Sequence, residues 1–78
     1  MNKQTKAMII GKVTADIDES GYFKQEFMRL NDLEQKHWNE ATMRSYIFNQ
    51  EDALRKEREE MIQFFANREL SKLDEVGA

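Results

Sequence analysis

The sequence predicts an α+β fold: an N-terminal β-hairpin, then two or three helices, the last one long. An all-α helical hairpin or bundle is the alternative. Three observations carry the expectation. Apolar residues alternate at period two through residues 8–18, the stretch Asp18-Glu19-Ser20-Gly21 has turn chemistry, and residues 49–73 carry the marks of a helix.

The first strand is expected at residues 8–18. Ile9, Gly11, Val13, Ala15 and Ile17 fall on one side of an extended chain, with Lys12, Thr14, Asp16 and Asp18 on the other. A helical spacing competes, because Ile10, Val13 and Ile17 also share a helix face. Against it stands Gly11, which costs about 1 kcal/mol in a helix interior relative to Ala. Asp18 at the first turn position and Gly21 at the fourth suit a type I turn closed by a left-handed glycine. Residues 22–28 then return as the second strand.

Asn31 is the expected cap of the next helix, with Glu34 three residues on. That helix runs over residues 32–48, with an interruption near residues 39–42. Leu33, His37, Met43, Ile47 and either Trp38 or Ala41 give it a ragged apolar face. Asn49 and Gln50 form the joint to the long helix, unless the two run on as one.

Residues 49–73 are the plainest helix in the chain. Asn49 suits an N-cap, and Glu51 and Asp52 place negative charge in the first turn, where the helix dipole favours it. Opposite charges stand four apart at Glu51 and Arg55, Asp52 and Lys56, and Arg55 and Glu59. No Pro or Gly interrupts residues 22–76. Met61, Ile62, Phe64 and Phe65 crowd its second half, and burial of each would stabilise the fold by about 1.5–3 kcal/mol. All four are first read as core. Some of them facing a second chain is the sharper reading.

Seventy-eight residues make one small domain, 1–78, with frayed ends at 1–6 and 74–78. A chain this short is marginally stable, and small scaffolds add a disulfide, a metal or a partner chain. There is no Cys, so no disulfide forms; with a single His, a Cys/His structural zinc site is ruled out as well. Oligomerisation, as a homodimer, is the favoured remedy. The absence of Cys fits a cytoplasmic, reducing compartment. The longest apolar run, residues 7–10, is too short for a membrane span or signal segment.

Chemistry is sparse. Glu34 and His37 match Glu-x-x-His, but the motif occurs once where carboxylate-bridged bundles need two copies and two further Glu. No metal, cofactor or catalytic residue is assigned. Ser20, Ser45 and Ser71 lack the surroundings of a nucleophile, and the three glycines are isolated and form no phosphate loop. A net charge of −3 argues against broad contact with a phosphate backbone. The run Arg55-Lys56-Glu57-Arg58-Glu59-Glu60 alternates in sign and reads as a solvated, self-paired face.

What remains is a small acidic protein whose large apolar side chains exceed what so short a chain buries easily. The expected function is a protein-interaction module, a regulator or inhibitor that binds another protein and associates with itself. Candidate interface residues are Trp38, Tyr46, Met61, Phe64 and Phe65, since large side chains dominate interface energetics. Trp38 is otherwise read as the largest core side chain. A nucleic-acid-binding accessory protein and a self-assembling structural protein are the alternatives. The Pro-free, Cys-free composition is of a kind met among phage and mobile-element accessory proteins.

Overall fold

A computed structural model describes residues 3–77, with side chains as far as residue 73. The fold is all-helical. Helix α1 spans Lys3–Glu19, α2 spans Tyr22–Lys36 and α3 spans Ala41–Gly77. Among the described residues there is no strand, so the α+β expectation is overturned and the helical alternative holds. Residues 8–18 lie within α1 and residues 22–28 open α2. Of the ends expected to fray, 1–2 and 78 lie outside the described residues; Lys3 to Lys6 open α1 and residues 74–77 close α3.

The physical reason for the correction lies in the weight of the apolar positions. Two members of the period-two set, Gly11 and Ala15, have almost no side chain to bury, and both are exposed. The bulky members, Val13 and Ile17, are four apart and both buried, with Ile9 and Ile10 half-buried a turn earlier. Their burial outweighs the ~1 kcal/mol penalty of Gly11. In α2, Phe23, Phe27, Leu30 and Leu33 form one helical stripe that runs through the boundary expected near Asn31.

Gly21 does adopt the left-handed conformation, with φ 81° and ψ −6°. It ends a helix there and turns no hairpin. Its N–H donates to the Asp18 carbonyl, and its own carbonyl accepts from Gln25 as the first bond of α2. The Ser20 hydroxyl donates to the Ile17 carbonyl at 2.6 Å. One residue thus closes α1 and opens α2.

The second break falls at residues 37–40, overlapping the interruption expected near residues 39–42. The His37 N–H donates to the Leu33 and Glu34 carbonyls, and Glu40 accepts the first α3 bond from Arg44. The expected joint at Asn49 and Gln50 is absent, and α3 runs through it without interruption.

The result is a broken hairpin. Helix α3, at about 1.5 Å per residue, is a spine of roughly 55 Å. Helices α1 and α2 follow one another antiparallel to it. The Cα envelope measures 58 × 19 × 17 Å, and the radius of gyration is 17.1 Å. A compact chain of this length has a radius of gyration near 11.5 Å, so the protein is a rod two helices thick.

The core is a thin seam along that rod. Leu30 is fully buried, with Phe23, Ile47, Leu54, Val13, Ile17 and Ile62 completing the cluster. Asp18 and Arg58 clip the end of α1 to the middle of α3 through two bonds of 2.9 Å. That bidentate pair holds the Asp18 carboxyl below its usual range and the Arg58 guanidinium above its own.

Candidate functional site

The buried positions on α3 change track along its length. Over the half that faces α2 they are Ile47 and Leu54, seven apart. Over the half that faces α1 they are Ile62 and Ala66, with Leu70 half-buried beyond them. Steps of four advance about 40° round a helix, so the covered line swings away from the line of Ile47 and Leu54. Met61 and Phe65 stay behind on the original line. Met61 is half-buried against the core and Phe65 is 38% exposed.

This divergence opens a groove of about 480 Å³ between α1 and the C-terminal half of α3. Its apolar lining is Ile9, Val13 and Ile17 from α1, with Met61, Phe65 and Leu73 from α3. Lys12, Asp16 and Glu69 add charge, and all three are exposed. Glu69 is paired with Lys72 at 3.5 Å. Lys12 and Asp16 make no ion pair with the described residues.

The five candidate interface residues separate into two groups. Met61 and Phe65 line the groove. Trp38, Tyr46 and Phe64 lie outside it. Phe64 stacks edge-on against Phe65, with ring centroids 5.2 Å apart at 83°, and is itself 62% exposed. Tyr46 precedes it by eighteen residues, five full helical turns, so the two share a side of α3 about 27 Å apart. Trp38 sits in the 37–40 loop and is 68% exposed.

Two core expectations are thereby corrected. Trp38 is not the largest core side chain, because the loop that carries it projects past the ends of α2 and α3. Of Met61, Ile62, Phe64 and Phe65, only Ile62 is buried. A rod two helices thick covers one face of α3, and four apolar residues within five positions cannot all point to it.

Sequence reasoning missed Ile9, Lys12, Asp16 and Leu73 as one surface. As a strand, residues 8–18 would place Ile9 on the side opposite Lys12 and Asp16. It also passed over Met8, Met28 and Phe48, which are large, apolar and exposed. The signal for the groove was present in the spacing of Ile47, Leu54 and Met61, which continues past the end of α2's cover.

Elsewhere the chemistry is plain. The His37 ring Nδ1 contacts the Glu40 carboxylate, and Glu34 does not join them. Among the described residues no three His, Asp or Glu side chains converge to hold a metal ion. Of the three expected pairs along α3, Arg55 with Glu51 and Lys56 with Asp52 form, and Arg55 makes none with Glu59. No described helix is long and apolar enough to cross a membrane. The chain matches no protein-family model, and no curated protein or solved structure shows a significant likeness to it.

Proposed function

We propose that this chain is a small cytoplasmic protein-interaction module, a regulator or inhibitor that acts by binding another protein and that also pairs with itself. The observation that supports the reading is the surface. A 78-residue chain leaves Trp38, Tyr46, Phe48, Phe64 and Phe65 exposed, beside an apolar groove. Aromatic side chains on a surface carry binding energy well beyond their number, because each buries a large rigid area at low entropic cost. The thin core supports the same reading, since contact with another chain would supply the burial that the rod lacks.

Capture of the tagged chain from an extract of its host, with and without nuclease, tests this. One other protein recovered near stoichiometry and resistant to nuclease is expected. The variant carrying Trp38→Ala, Tyr46→Ala and Phe64→Ala together is expected to lose it while its helicity persists. Recovery that nuclease abolishes would replace the reading with a nucleic-acid accessory role. Recovery of the chain alone would remove the partner and leave self-assembly.

A further inference from the structure

We propose that the groove between α1 and the C-terminal half of α3 is filled by a second copy of this chain, laid antiparallel and groove to groove. The inference deepens the interaction reading by naming the occupant of one surface. It leaves Trp38, Tyr46 and Phe64 for a different protein.

Area is the first support. The chain exposes 6230 Å². A compact monomer of 9.3 kDa exposes roughly 5,000 Å² by the usual scaling with mass. The excess is thus roughly 1,200 Å², and a stable interface needs about 800 Å² from each partner. The isolated rod therefore carries more surplus surface than a dimer of standard size requires. Part of the exposed apolar surface lies in the groove, where Phe65 and Leu73 are 38% and 44% exposed beside buried Val13 and Ile17.

Charge is the second support, and it selects a second copy over an unrelated partner. Lys12 and Asp16 lie four apart on the groove side of α1, and neither makes an ion pair with the described residues. Two α1 helices that cross antiparallel about residue 14 bring Lys12 of each copy opposite Asp16 of the other. The surface is then complementary to itself, as a two-fold interface requires. Only the antiparallel arrangement does this; parallel pairing would set Lys12 against Lys12 and Asp16 against Asp16.

Sedimentation equilibrium of the full chain, with helicity followed by circular dichroism, tests the arrangement. The wild-type chain is expected at twice the mass of one chain. Lys12→Glu alone and Asp16→Lys alone place like charges face to face, and each is expected to weaken pairing by about tenfold. An equimolar mixture of the two variants restores opposite charges at both contacts and is expected to restore pairing. Phe65→Glu is expected to give a monomer of unchanged helicity. A wild-type monomer at all concentrations would overturn the inference, and if host-protein capture persisted the interaction reading would survive it. A dimer insensitive to Phe65→Glu, or a mixture no better than the single variants, would overturn the groove or the antiparallel arrangement.

Discussion

Two glycines in this chain have opposite physics. Gly11 sits in the middle of α1, exposed and at ordinary helical φ, and an added Cβ there would meet nothing within 4 Å. Gly11→Ala is expected to stabilise the protein by about 0.5–1 kcal/mol, because it removes backbone entropy from the unfolded chain at no steric cost. Urea unfolding would read the gain as a higher midpoint with unchanged slope; a lower midpoint would mean that α1 does not run through residue 11. Gly21 is held at φ 81°, where a side chain is strained whatever space surrounds it. Gly21→Ala is expected to destabilise by about 1–2 kcal/mol in the same assay.

The Asp18–Arg58 pair makes a prediction about pH. The carboxyl is held below its usual range in the folded chain, so the pair stabilises the fold above the unfolded pKa near 4. That contribution fades as pH falls through the lowered value. The melting temperature of Arg58→Gln should therefore lie below wild type at neutral pH and converge on it in acid. A gap of constant size from pH 7 to pH 2 would show that the pair carries none of the pH dependence. Both side chains are partly exposed, so salt is expected to narrow the gap as well.

Helix α2 holds the rod together at the level of elements. Leu30 is the most deeply buried side chain, and it lies on α2 within the seam against α3. Leu30→Ala is expected to cost about 2–5 kcal/mol, a large share of what a small domain has. Phe64→Ala, on the far side of the seam, is expected to shift stability by no more than about 0.5 kcal/mol. Thermal or chemical unfolding of the two variants side by side would check both. Equal losses would contradict the placement of Phe64 outside the core.

The same comparison of elements shows what could be read without coordinates. The long helix was legible because its charge pairs and lack of Pro or Gly agree over more than twenty residues. Its start was not. Asn49 and Gln50 are good cap and joint residues in isolation, but Ile47 and Leu54, seven apart, are buried on one line against α2. Burial of a continuous stripe outweighs a local preference for ending the helix. The N-terminal half was misread because period two and period 3.6 coincide over short apolar runs, and side-chain size decides between them. The left-handed glycine at residue 21 was legible, since one local conformation serves both a hairpin and a helix end. The candidate site was legible in residue type and not in position. Met61 and Phe65 are candidates by residue type, but an extended chain over residues 8–18 separates Ile9 and Val13 from Lys12 and Asp16, and only a helix brings them to one groove.

For the whole molecule, thinness is the property that matters. A rod 58 Å long and under 20 Å across has no second layer to cover the far side of α3. The apolar residues placed there are exposed because of topology, with two short helices set against one long one. Pairing along the groove would give the rod a second layer and a four-helix cross-section over part of its length. Pairing through the Trp38 loop would instead extend the rod and leave the groove open.

Small-angle X-ray scattering over a concentration series separates these directly. Groove-to-groove pairing predicts that forward scattering doubles while the longest dimension stays within about 10 Å of the single rod, since copies centred near residue 62 of α3 are offset by only a few residues at 1.5 Å each. A doubled forward scattering with a longest dimension near twice that of the rod, or scattering that never departs from a single rod, would contradict the account.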